Sequence, residues 1–148
     1  MKIIVKSTLP IVADSLNRLE RRLNGDLSPV MQAVGFVIEN STRRRIRTDK
    51  TAPDNTKWAA LKPATVAARQ RKKTLKGGIL VDSGLMLGGL TSVSGNSWAV
   101  VGTNMPYAAF HQTGTQKMPA RPIFGLSNKD TADIQDSVLG VLKGWFGG

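Results

Sequence analysis

His111 is the only histidine in this chain, and there is no cysteine. A Ser-His-Asp triad would have to be built on His111, yet no Gly-x-Ser-x-Gly elbow presents a serine to it. Without cysteine there is no disulfide, thiolate zinc site or thiol nucleophile. Asp130, Asp133 and Asp136 stand three apart, a spacing that could imitate an acidic metal face on one helix. Acids in the first turns of a helix also complement its positive end, and that explanation is the stronger one. Gly77-Gly78 and Gly88-Gly89 are not followed by the Gly-Lys-Ser/Thr of a phosphate loop. Tyr107 is the sole tyrosine, and with three tryptophans it is too little for a base-stacking platform. No helix-turn-helix or zinc-finger spacing fits. The residue types therefore predict no catalysis, no metal and no cofactor, with His111 packed or hydrogen-bonded as a structural residue.

What the chain does have is concentrated charge. Twelve of its 21 Lys and Arg residues lie between Arg43 and Lys76, opposed only by Asp49 and Asp54. Twelve cations less two acids leave +10 of the formal +11 in this window. Such a stretch attracts polyanions: nucleic acid, an acidic membrane or an acidic protein face. The residues expected to do so are Arg43, Arg44, Arg45, Arg47, Lys62, Arg69, Arg71, Lys72, Lys73 and Lys76. A solvated charged loop is the plain alternative.

The elements around this window have readable signals. The chain has 148 residues, which predicts one domain spanning 1–148, and 41% hydrophobic content is enough for a core. No apolar run approaches the roughly 20 residues of a membrane span, and residues 1–9 read as part of the mature fold, without a leader. Ile3, Ile4 and Val5 predict a strand. Leu9, Val12, Leu16, Leu19 and Leu23 make a helical stripe stopped at Asn24-Gly25. Ser28 and Pro29 predict the cap and first position of a second helix, with Val30, Val34, Val37 and Ile38 on one face. This helix is expected to reach Arg47. Its four arginines fan around the axis, so its end should project beyond the core.

Residues 48–57 and 69–78 are polar, basic or glycine-ended and are expected to be mobile, with Trp58 and Leu61 anchoring the first loop. Short helices are predicted over 63–71, 85–90 and 105–113, the last closed by Gly114. Gly95-Asn96 predicts a two-residue hairpin between strands at 91–94 and 97–101. Pro119 and Pro122 require an extended or irregular stretch. Ser127 and Asp130 resemble a capping box before a helix carrying Ile134, Val138, Leu142 and Trp145. The class is α+β: several helices packed on a small antiparallel sheet, with a long basic loop region.

One run carries a specific resemblance. Val101-Gly-Thr-Asn-Met-Pro-Tyr-Ala-Ala-Phe-His-Gln-Thr-Gly-Thr115 is followed by Met118-Pro-Ala-Arg-Pro-Ile-Phe-Gly-Leu-Ser127 and then Asp130. Upstream stand Pro53-Asp54 with Trp58, Leu61 and Thr65, then Ile79-Leu80 and Ser83-Gly84-Leu85. Over about residues 53–130 this resembles the phage virion morphogenesis family, the tail-completion proteins of Mu-like and P2-like bacteriophages. Asn55 stands where that pattern has glycine, and asparagine tolerates the left-handed turn.

The resemblance implies a non-enzymatic virion protein, made in the bacterial host cytoplasm. It implies action in tail completion or head–tail joining by self-association and docking. Its partners would be tail or connector proteins and further copies of itself, a ring being one form, with contact to packaged DNA and none to membrane. Trp58, Tyr107, His111, Gln112, Gly114 and Arg121 would then be structural signature residues. Tyr107, His111 and Gln112 are placed to hydrogen-bond the Pro119–Pro122 stretch, and Arg121 to reach a carboxylate or a carbonyl. The other reading of the charge is a non-specific nucleic-acid-binding protein.

Overall fold

A computed structural model describes residues 2–3, 21 and 26–146. The apolar stripe predicted over 9–23 lies outside the described residues, save for Arg21, which is helical and exposed. In chain order the elements are β1 (Lys2–Ile3), α1 (Ser28–Arg44), α2 (Pro63–Arg71), α3 (Leu85–Gly88), β2 (Leu90–Ser94), β3 (Ala99–Thr103), α4 (Ala108–Thr113) and α5 (Asn128–Phe146). A wide five-residue π turn, Arg45–Asp49, continues α1, and a 3-10 turn, Leu75–Gly77, follows α2. The sheet is antiparallel in the order β1-β3-β2, so the class is α+β.

The hairpin is wider than its sequence suggests. Ser94 pairs with Ala99, so four residues turn the chain, closed by the Gly95 amide donating to the Trp98 carbonyl at 2.9 Å. Asn96 spends its side chain elsewhere: its Oδ1 accepts from the Leu27 amide and ties the hairpin to the start of α1. Asp26, not Ser28, supplies the carboxylate that receives the Ser28 amide, so the helix begins one residue earlier than expected. A Cβ added to Gly35 would come within 3.3 Å of the Ser92 Cβ, so α1 crosses β2 closely there. Ser92 Oγ donates to Glu39 on the next turn at 2.7 Å.

Among the described residues, two apolar clusters result. Leu27, Val30, Met31 and Ile38 meet Val101 of the sheet and Ile134 and Val138 of α5. The second cluster sits under the loops and joins Ile46, Ala52, Trp58, Leu80, Met86, Leu90, Ala108, Ile123 and Phe124. The π turn leads from one to the other. Its closing bond, from the Lys50 amide to the Arg45 carbonyl at 2.8 Å, spans five residues and ends at Lys50 with φ 55°. This wider turn carries Arg45 and Ile46 together into the interior, at 3% and 0% exposure.

The end of α1 therefore does not project beyond the core, and Arg45 is not a surface cation. Its Nη1 pairs with Asp130 Oδ2 at 2.6 Å, across the join between α1 and α5. Its Nη2 reaches the Gly125 carbonyl at 3.0 Å and Thr42 Oγ1 at 3.3 Å. Asp130, fully buried, also accepts from Ser41 Oγ and from the Ser127 amide at 2.8 Å, while Ser127 Oγ accepts the Asp130 amide at 3.0 Å. The capping box is real, and one of its members doubles as the counterion of Arg45.

Burial pushes the Asp130 carboxyl up, but the hydrogen bonds from Ser41 and Ser127 and the guanidinium of Arg45 outweigh it, leaving it below the ordinary 3.8. A carboxylate lowered in the folded state contributes stability that is complete above its unfolded value and lost as pH falls through the folded one. Asp130→Ala should thus destabilise the protein by about 3–5 kcal/mol at neutral pH, because it strands a buried guanidinium. Asp130→Asn should also flatten the fall in stability below about pH 4. Urea melts of the two variants across pH check both outcomes.

Candidate functional site

Trp58, Tyr107, His111, Gln112, Gly114 and Arg121 meet where two irregular stretches of backbone, the 50–62 loop and the 114–125 return, converge on α4. Gly114 ends α4 with φ +75°, its amide bonded to the Phe110 carbonyl at 2.8 Å. A Cβ there would stand 2.7 Å from the Ala120 amide nitrogen, so only glycine fits the approach of the returning strand. The Arg121 amide then donates to the His111 carbonyl at 2.7 Å. Gln112 Oε1 accepts from the amides of Ile123 and Phe124 at 2.9 and 3.1 Å, and its Nε2 donates to the Phe124 carbonyl at 3.2 Å. One side chain thus replaces a strand partner for a segment that proline keeps out of a sheet.

Arg121 is buried, and its Nε and Nη2 reach the carbonyls of Ala59 and Ala60 at 2.9 and 3.0 Å. Trp58 is buried one residue earlier and donates from Nε1 to the Pro122 carbonyl at 3.0 Å. Expectation and structure agree that Trp58 anchors its loop and that Arg121 reaches carbonyls. They differ for the aromatic pair. Gln112 bonds just beyond Pro122, His111 contributes its backbone, and the Tyr107 ring meets the His111 ring edge-on at 6.2 Å between centroids. Burial, then the charges of Arg121 and Arg69, lower the His111 pKa below 6.5, so the imidazole is neutral at pH 7. Asn55 takes the left-handed turn expected of it, at φ 67°.

The twelve cations divide. Arg43, Arg45, Lys50 and Arg69 turn toward the body. Arg43 pairs with Glu39 at 2.9 Å and donates to the carbonyls of Leu87 and Leu90, each at 2.5 Å. Lys50 Nζ reaches the carbonyls of Ile46, Gly77 and Ile79 at 2.5, 2.9 and 3.1 Å. Burial, then Arg69, lower its pKa. Arg69 donates to the carbonyls of Gly78 and Val81 at 2.5 and 3.3 Å. The 48–57 and 69–78 stretches, expected to be mobile, are thus tied to the body, the first by the Lys50 side chain that it carries and the second through the carbonyls of Gly77 and Gly78.

Arg44, Arg47, Lys57, Lys62, Arg71, Lys72, Lys73 and Lys76 remain exposed. Arg44 pairs with Asp49 at 3.2 Å and Lys62 donates to the Lys117 carbonyl at 2.9 Å. The three aspartates of α5 also part company: Asp130 serves Arg45, Asp133 pairs with Lys129 at 2.8 Å, and Asp136 is exposed. Among the described residues, no three of His, Cys, Asp and Glu come together as a metal site.

The model of the phage virion morphogenesis family matches residues 9–143. The chain belongs to that family. The match runs beyond the 53–130 stretch whose motifs suggested it and takes in α1 and most of α5. Among curated proteins, the chain is 38% identical over 78 residues to the Mu-like prophage FluMu G protein 2 of Haemophilus influenzae, covering 48% of this chain and 56% of that one. It is 35% identical over 89 residues to FluMu G protein 1 of the same organism, covering 57% and 58%. The chain thus spans little more than half the length of these relatives. No solved structure matches it. In this virion morphogenesis protein the side chains of Trp58, Gln112 and Arg121 are directed at main-chain amides and carbonyls.

Gln112→Leu should accordingly destabilise the fold by about 1–3 kcal/mol, since it leaves two buried amides unpaired. Gln112→Glu, which keeps the acceptor oxygen but sets a carboxylate oxygen against the Phe124 carbonyl, should recover only part of that loss. Thermal unfolding of the two variants compares them directly.

Proposed function

We propose that this protein completes the tail or joins tail to head during assembly, as a non-enzymatic component of the virion. It acts by associating with copies of itself and docking on a tail or connector protein. The observation that carries this reading is the family match over 135 of 148 residues. The site supports it, because the side chains of Trp58, Gln112 and Arg121 are occupied in shaping irregular backbone. Exposed apolar side chains support it too: Phe36, Leu85, Val93, Phe110 and Leu139 are each more than half exposed, and a protein that works by docking needs such surface. Among the described residues, no helix is long and apolar enough to cross a membrane.

A second reading, non-specific binding of nucleic acid, is favoured by one observation, the exposed cations around α2. The two readings are compatible in one molecule, and they fail separately.

A phage lacking this protein should accumulate unjoined heads and tails, visible by negative-stain electron microscopy, and the wild-type chain supplied in trans should restore joined particles. The purified chain should sediment as an oligomer whose mass rises with concentration. Normal particle yield without the protein would end the assembly reading, and a strict monomer at all concentrations would end self-association.

A further inference from the structure

We infer that the exposed cations flanking α2 form a sequence-independent contact for the phosphate backbone of duplex DNA. The inference rests on these side chains alone and not on the tail-joining role. Once the inward cations are set aside, six charges stand around a helix about 13 Å long. Lys62 and Lys117 lie at its start, held together by the bond from Lys62 Nζ to the Lys117 carbonyl at 2.9 Å. Arg71, Lys72, Lys73 and Lys76 lie at its end. All six are exposed. Of the acids nearby, Asp82 is held by Thr74 and by Arg69 at 3.8 Å.

A second observation concerns Lys73. The end of α2 closes in a two-bond cap: the Lys73 amide donates to the Gln70 carbonyl at 3.1 Å, and the Thr74 amide to the Arg69 carbonyl at 3.0 Å. This motif puts the residue after the cap in the left-handed region, where glycine is the usual choice. Here that residue is Lys73, at φ 58°. A lysine strains the backbone where glycine would not, and strained residues cluster at functional sites. Lys50, the other left-handed lysine among the described residues, binds three carbonyls; Lys73 is exposed.

The kind of partner follows from what α2 lacks. It buries no side chain, and its exposed residues beside the cations are Pro63, Ala64, Ala67 and Gln70. Stable protein interfaces are depleted of lysine at the centre and need a large anchoring side chain. A uniformly charged phosphate rod needs only cations, and lysines on flexible stems serve it without shape complementarity.

The test is fluorescence anisotropy of the full chain with a random-sequence duplex of about 30 base pairs, across salt. Wild type should lose about 10³-fold in affinity between about 50 and 200 mM salt, as expected for about six phosphate contacts. With Arg71, Lys72, Lys73 and Lys76 all changed to Gln, the slope of log K against log salt should shrink by about 3 to 4, with the melting temperature kept. Lys73→Gly should shrink it by about 1 while keeping or raising the melting temperature, a pairing that loss of structure does not produce. This variant carries the test if the quadruple one does not fold.

No duplex binding at about 50 mM salt would overturn the inference. So would an unchanged slope in the substituted chains, or equally tight binding to polyglutamate, which would point to an acidic protein instead. A chain that binds duplex as expected yet is dispensable for particle yield would remove the assembly reading and leave this one standing.

Discussion

Everything between the two apolar clusters turns on the ion pair of Arg45 and Asp130. It lies at the junction of α1, the π turn and α5, and each partner is held by several further hydrogen bonds. Burying two charges costs several kcal/mol of lost hydration each, so such a pair contributes little net stability compared with apolar packing. Its effect is on which structure forms. Any other register of α1 against α5 would leave a guanidinium or a carboxylate unpaired in the core. Ile46 follows Arg45 directly, so fixing the arginine also fixes where the second cluster begins.

The same economy recurs away from that pair. Lys50, Arg69 and Arg121 direct their charges at main-chain carbonyls, and Gln112 presents its amide to main-chain groups. Much of the chain between α1 and α5 is irregular, and irregular backbone leaves amides and carbonyls that neither helix nor sheet can pair. Long cationic and amide side chains supply the missing partners while their stems pack on apolar neighbours. Gly114, Pro122, Gln112 and Arg121 stand together at this corner because this path of backbone requires a close approach, an extended stretch, a double acceptor site and a donor fork.

How much of this could be read from the sequence depended on whether the signal was local. The class, the strand-turn-strand pattern, the proline-led start of α2, the Ser127–Asp130 cap and the left-handed Asn55 follow from neighbours a few residues apart. The hairpin departs from its local signal: Asn96 accepts from the Leu27 amide, 69 positions away, and the turn is closed by the Gly95 amide on the Trp98 carbonyl. Arg45 could not be told from Arg44 or Arg47 by composition. Only the wide turn after α1 and an aspartate 85 residues on decide that it goes inside. Gln112 belongs to a legible motif, but its acceptor role depends on the amides of Ile123 and Phe124, 11 and 12 positions along the chain.

The strong local charge is therefore two features interleaved in one window. The cations that face inward are matched one by one, to Glu39, to Asp130 and to sets of carbonyls, and their number is set by the backbone they serve. The outward ones have no comparable matching, and folding would proceed with neutral polar residues in most of their places. Inward cations answer to geometry, so changing one should be felt in the melting curve. Outward cations answer to a long-range field that falls off within about 10 Å at moderate salt, so changing one should be felt mainly in what the surface attracts. A residue such as Lys73, strained in its backbone yet free in its side chain, marks the boundary between the two. Its backbone takes the conformation that glycine prefers, while its side chain lies in solvent.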